Sequence, residues 1–232
     1  MTTRNSRPFF HASALLGAAV VAPACAASKN PATPHTHDHA HGGHAAFQNA
    51  NEWTGVFDDP SRDEWQRPAD VIRALNLSPS MNVADIGAGT GYFSVRLARA
   101  VPQGNVFATD IEPDMVRFLT ERAEREHLPN LVARAATKEG AGLEAASVDR
   151  ILIVNVWHHI DNRTAYARNL ATALRPGGKI VTVDFNLTAH HGPPREMRLA
   201  PDAILSELNA SGLRVSLSPI ALPDQYIVVA ER

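Results

Sequence analysis

Asp85, Gly87, Gly89 and Gly91 alternate in Val83-Ala-Asp85-Ile-Gly87-Ala88-Gly89-Thr-Gly91, directly after a short apolar run. Alternate glycines let a backbone turn sharply and approach a ligand where a β-carbon would collide. Such a turn alone would also suit a dinucleotide. The spacing here, however, is Gly-x-Gly-x-Gly and not the Gly-x-Gly-x-x-Gly that seats a pyrophosphate at the start of a helix. Asp85 precedes the turn, where a carboxylate repels phosphates and attracts a cation. A second acid, Asp110, lies 25 residues on at the end of the next apolar run. There a carboxylate can accept both hydroxyls of a ribose.

Carboxylate, glycine turn and ribose acid together describe a nucleoside that lacks phosphates and carries a positive charge. S-adenosylmethionine meets that description. Asn155-Val-Trp157-His158-His159 follows a third apolar run, and either imidazole is a candidate general base for an acceptor that must lose a proton. Alternatively, one histidine packs under the sheet end and the other caps a helix. Trp157 reads equally as core or as pocket wall. His190-His191-Gly-Pro-Pro194 reads as a second wall or as a surface loop, and Arg195 and Arg198 as receivers of an acidic substrate or as solvated charges.

These residues need a scaffold that places them together. The pattern predicts helices at 68–75, 92–101, 113–123, 161–174 (capped by Asp161) and 201–211, and strands at 81–86, 105–111, 131–135, 150–156, 179–185, 213–220 and 226–230. Regular strand–helix alternation implies a doubly wound α/β fold, a mostly parallel seven-stranded sheet with helices on both faces. Two consecutive strands at the end allow one to run antiparallel. Open sheets of this kind bind ligands at the carboxyl ends of their strands, where Asp85, Asp110 and Asn155 fall.

The 232 residues suffice for one sizeable core with appendages. A net charge of −2 argues against non-specific nucleic-acid binding. One cysteine excludes an internal disulfide framework and a cysteine-rich metal site, and no metal ligands are assigned in the folded part. Residues 1–27 read as an export signal: Arg4 and Arg7, the apolar run 12–22, then small residues around Cys25. The run is too short for the ~20 residues that span a bilayer as a helix. Cys25 at this boundary suggests a lipid anchor, although Ala22 and Pro23 are atypical for one. A periplasmic or exported location is expected, soluble or lipid-anchored, with the cytoplasm as the alternative. Residues 28–57, holding His35, His37, His39, His41 and His44, read as a disordered tail with weak metal affinity at most.

From 58 to 232 the chain resembles the class I S-adenosylmethionine-dependent methyltransferases. Val83 to Gly91 is similar to their first motif and Phe107-Ala-Thr-Asp110 to their ribose-binding strand end. Asn155 to His159 falls where they place a fourth motif, and Leu174-Arg-Pro-Gly-Gly-Lys179 at their turn into strand five. Residues 57–68 look like the entrance segment of an exported subgroup. The resemblance implies a Rossmann-like sheet with an antiparallel last strand. It also implies that Asp85, Gly87, Ala88, Gly89 and Gly91 hold the amino-acid end of the cofactor. Asp110 and Ile111 would hold its ribose side, and Asn155 would line the sulfonium. One departure is clear: Ala136 stands where many members carry an acid for the adenine amino group. The expected activity is methyl transfer to a small molecule whose identity, like the oligomeric state, is left open. The rival expectations are a non-catalytic nucleoside-binding module and an exported metal-handling protein with a functional histidine tail.

Overall fold

The computed structural model describes residues 49–232. The expected export signal, Cys25 and the clustered histidines lie outside the described residues. Seven strands, β1 (Val83–Ile86), β2 (Val106–Asp110), β3 (Leu131–Ala135), β4 (Val148–Val154), β5 (Leu174–Phe185), β6 (Arg214–Leu217) and β7 (Gln225–Glu231), form one sheet in the order β3-β2-β1-β4-β5-β7-β6. β1 to β5 pair in parallel, and β7 runs antiparallel to both β5 and β6. The helices are α1 (Ala50–Phe57), α2 (Arg62–Gln66), α3 (Pro68–Leu75), α4 (Tyr92–Ala100), α5 (Pro113–Arg125), α6 (Arg163–Ala173) and α7 (Pro201–Asn209). No helix among the described residues is long and apolar enough to cross a membrane.

Period-two alternation explains how one sheet supports two cores. In β4, Leu152 and Val154 face the layer of Val71, Leu75, Phe93, Leu97 and Leu119, while Ile151 and Ile153 face that of Trp157, Leu170, Ile204 and Leu208. β5 and β7 divide the same way, with Val181, Val183 and Ile227 on the first face and Ile180, Val228 and Ala230 on the second. A strand covered on both sides must be apolar at nearly every position, which is why ILIV reads as an unbroken run. Trp157 is fully buried and its indole N–H donates to Glu207 at 2.7 Å, so it belongs to the core and not to a pocket wall.

The structure corrects several expectations. Residues 50–57, assigned to the tail, form α1. Ala50 is buried against Met115 and Phe118, with Trp53 and Phe57 packed alongside. Eight residues are too few to show a helical period, and the apolar face exists only against α5. Helix α2 was not anticipated. The cap of α6 is Asn162, whose side chain accepts from the Ala165 N–H at 3.3 Å, because a 3₁₀ turn at Trp157–His159 displaces the helix start past Asp161. β5 begins at Leu174 and not at Lys179, since Leu174 pairs with Val148 before the Pro-Gly-Gly irregularity. The penultimate strand is only Arg214–Leu217.

Candidate active site

The strand order reverses between β1 and β4, and this opens a crevice at their carboxyl ends. β7 starts at that same edge because it is antiparallel, Gln225 pairing with Phe185. The edge therefore collects Asp85, Asp110, Asn155, Asp184 and Gln225, one side chain from each of five strand ends.

Gly87 and Gly89 have φ of 65° and 55°, left-handed values that are strained for residues with a β-carbon. At Gly87 a β-carbon would also stand 2.4 Å from Val156 Cγ2. The turn closes on the second acid: the Gly89 N–H donates to Asp110 Oδ2 at 2.8 Å, and the Glu112 N–H to Oδ1 at 3.0 Å. Burial raises the Asp110 pKa, and bonds from the Glu112, Gly89 and Ile111 N–H groups oppose it. Ile111 beside it is half exposed, an apolar flank for a flat ring. Asp85 is buried and accepts from the Ser94 hydroxyl at 2.6 Å. Burial pushes its pKa up to about 7, with the Ser94 bond and the Arg62 charge pulling the other way. Ala136 offers no side-chain acceptor near the turn, and its N–H donates to the Asp110 carbonyl.

Asn155 follows β4 with φ of 60°, a left-handed conformation that asparagine tolerates better than most residues. That turn starts the Trp157–His159 segment and aims His158 back at the sheet. His158 Nδ1 lies 2.9 Å and 3.1 Å from the two oxygens of Asp184, with both side chains buried. A carboxylate only accepts, so Nδ1 carries the proton and Nε2 is left as the basic nitrogen. The His159 ring is 4.1 Å from that of His158, tilted by 44°. Asn155 accepts from the Gln225 amide, and Gln225 in turn accepts from Gln66 at 2.9 Å. This relay of side-chain amides ties α2 to the floor of the crevice.

The loop after β5 packs on α2, with the His190 and His191 side chains 90% and 51% exposed. His190 and His191 both bond Asp224 through Nδ1, and His191 stacks on Trp65 with 4.9 Å between centroids. Trp65 also stacks on Phe185, next to Asp184. Burial opposes ionisation of Asp224, but the bonds from His191 and His190 outweigh it and hold the carboxylate down at about 2. Glu64, Trp65, His190, His191 and Asp224 line a cleft of about 440 Å³. Arg198 does not serve as an anion receiver: its guanidinium is spent on the carbonyls of Asn186, Ala189, His191 and Pro193, which staple this loop.

Sequence reasoning missed Asp184, Ser94, Gln66, Gln225 and Arg62. Asp184 left a signal, a charged residue within the apolar run of β5 that must find a partner if buried. Arg62 and Gln66 lie in the 57–68 segment singled out above without a role of their own, and Ser94 and Gln225 left no signal.

The fold is that of the class I methyltransferases. Residues 83–178 match the protein family described as a methyltransferase domain. An uncharacterized methyltransferase of Mycobacterium tuberculosis is 37% identical over 114 residues, 49% of this chain and 43% of its own length. The erythromycin 3''-O-methyltransferase of Saccharopolyspora erythraea is 29% identical over 140 residues, 56% of this chain and 44% of its own. The chain thus spans less than half the length of the curated relatives it matches. Among solved structures, a SAM-dependent methyltransferase from Aquifex aeolicus superposes with a TM-score of 0.73 at 24% identity, covering 79% of this chain and 98% of that one.

Proposed function

We propose that this protein binds S-adenosylmethionine in the crevice between β1 and β4 and methylates a small-molecule acceptor, with His158 as the general base. One observation carries the reading. The glycine turn is closed onto the Asp110 carboxylate, and a buried, carboxylate-oriented imidazole stands two strand ends away. The donor set fits the cofactor: Asp110 keeps lone pairs for ribose hydroxyls, and Asp85 supplies an acceptor for an ammonium. The match over residues 83–178 and the methyltransferases among its relatives support the same assignment.

When bound, the cofactor supplies a methyl group on a sulfonium, open to in-line displacement, whose leaving thioether needs no proton. The protein's task is then to position the acceptor, exclude water and take one proton. Asp184 fixes the His158 tautomer and stabilises the imidazolium formed when Nε2 receives the acceptor's proton. His159 is the second candidate for that role. An acceptor bearing a hydroxyl suits such a base, and the hydroxyl-methylating relative of Saccharopolyspora supports this class. The departure at Ala136 leaves adenine to be recognised by backbone groups.

We also propose export, on the basic, apolar and small-residue succession of residues 1–27, with Cys25 as the anchoring residue if the protein is lipidated. Mass spectrometry of the mature chain distinguishes a cut before Cys25 from other cuts and from none. For the activity, calorimetry with S-adenosylmethionine and S-adenosylhomocysteine comes first, then release of S-adenosylhomocysteine with a panel of hydroxylated acceptors. Absence of binding to either nucleoside would sink the assignment.

A further inference from the structure

Arg62, Gln66, Gln225 and Asn155 form one chain of hydrogen bonds whose direction is fixed at its first member. A guanidinium only donates, so the atom of Gln66 that meets Arg62 Nε is its oxygen. The Gln66 nitrogen is then left to donate to Gln225 Oε1 at 2.9 Å, and the Gln225 nitrogen to Asn155 Oδ1. Both glutamines are buried, and each spends its oxygen on one neighbour and its nitrogen on the next. Reversing any one amide would set two donors or two acceptors against each other in a buried place, which is costly. Asn155, at the end of β4 and only partly buried, therefore turns its oxygen inward and keeps its nitrogen for the crevice. Among the described residues Asn155 Nδ2 has no hydrogen-bond partner.

The partners of Asn155 and His158 stand one register step apart, since Gln225 pairs with Phe185, the residue after Asp184. Strand alternation puts those partners on opposite faces, so the amide and the imidazole flank the end of β4 from two sides. We propose that the relay makes Asn155 a hydrogen-bond donor to the atom that is methylated, and so selects an oxygen acceptor over a nitrogen one. This rests on the assignment of the crevice to S-adenosylmethionine and on His158 as the base. A hydroxyl oxygen has two lone pairs and one proton. One lone pair forms the O–CH3 bond while the S–CH3 bond breaks and leaves its electron pair on sulfur. The other lone pair accepts from Asn155 Nδ2, and the proton passes to His158 Nε2. A neutral amine has a single lone pair, which the new bond consumes, so it meets the Asn155 donor with nothing to accept from it. Gln66 and Gln225 touch no reacting atom and are positioning residues. Their role also explains why α2 is present, since its five residues supply both Arg62 and Gln66, the first two members of the relay.

Neutron diffraction from the deuterated full chain reads the relay directly. A deuteron is expected on the Gln66 nitrogen facing Gln225 and on the Gln225 nitrogen facing Asn155, with both Asn155 side-chain deuterons outside the relay. An Asn155 nitrogen turned to Gln225 would overturn the proposal, whatever the turnover. Selectivity is read with 2-aminophenol, which carries a hydroxyl and an amine on one ring, as the chromatographic ratio of O-methyl to N-methyl product. The unaltered protein should give the O-methyl product in excess. Asn155→Asp still accepts from Gln225 but turns a second acceptor to the crevice, and should lower the ratio about 10- to 100-fold. Gln225→Met frees the Asn155 amide to turn and should lower the ratio by less. Equal loss of both products in these variants would give the relay a structural role only and overturn the proposal, as would excess N-methylation by the unaltered protein. If calorimetry shows that the unaltered protein binds neither S-adenosylmethionine nor S-adenosylhomocysteine, the cofactor assignment itself fails and the proposal falls with it.

Discussion

His158 Nδ1 and Asp184 Oδ1 are 2.9 Å apart at the ends of adjacent elements, both side chains buried and 26 residues separated in sequence. The pair gives His158 an orientation and a fixed tautomer. His158→Ala should therefore reduce kcat by about 100- to 10,000-fold, the usual worth of a general base. Asp184→Asn should also lose turnover, because the amide can donate to Nδ1 and favour the tautomer that leaves Nε2 protonated. S-adenosylhomocysteine affinity should survive both changes. Full turnover in His158→Ala and in His159→Ala would remove the base from the mechanism.

Asp110 joins the glycine turn to the ribose position, accepting from the Gly89 and Glu112 N–H groups. Asp110→Asn keeps the shape but turns one acceptor into a donor facing a donor. Affinity for S-adenosylhomocysteine should fall about 10- to 100-fold in calorimetry. An unaltered affinity would show that the ribose lies elsewhere.

Asp85 makes stability depend on pH. Burial lifts its folded pKa from 3.8 to about 7, so between those values the folded state holds a proton that the unfolded state has released. Stability falls as pH rises through this window and levels off above it. Asp85→Asn should flatten that part of the profile, gaining on the unaltered protein at pH 8 relative to pH 4. Urea unfolding across the range reads the difference. A parallel pair of profiles would place the Asp85 pKa at its ordinary value.

Gly87 faces Val156 across the crevice floor. Gly87→Ala combines a φ of 65° with a β-carbon 2.4 Å from Val156 Cγ2. The expected loss is about 1–3 kcal/mol in chemical denaturation. Adding Val156→Ala should restore the steric part and leave the backbone part, about 1–2 kcal/mol. If the double change restores nothing, the contact is not the cause.

Local pattern made much of this legible. The apolar runs at β1, β2 and β4 announced buried strands, and the stereochemistry of alternate glycines announced the turn, since both depend on a few consecutive residues. Asp85, Asp110 and Asn155 could be placed at one sheet edge because a strand end is itself a sequence landmark. Helix α1 was lost to the tail because eight residues carry too little periodicity, and its apolar face gains meaning only against Met115 and Phe118. Arg198 looked like a free cation because the four carbonyls it bonds lie in a loop with no regular spacing.

The sequence by itself determined the order of the strands and of helices α3 to α7, the glycine turn and the two acids flanking it, because period, turn stereochemistry and strand ends are short-range properties. Only the tertiary structure decided that His158 owns Asp184, that Gln66 reaches Gln225 across 159 residues, and that Arg62 stacks over Tyr92 beside the turn. Those pairings are set by the reversal between β1 and β4 and by the antiparallel entry of β7. Such crossings bring distant residues to one edge, where burial and hydrogen-bond satisfaction, not spacing along the chain, select the partners.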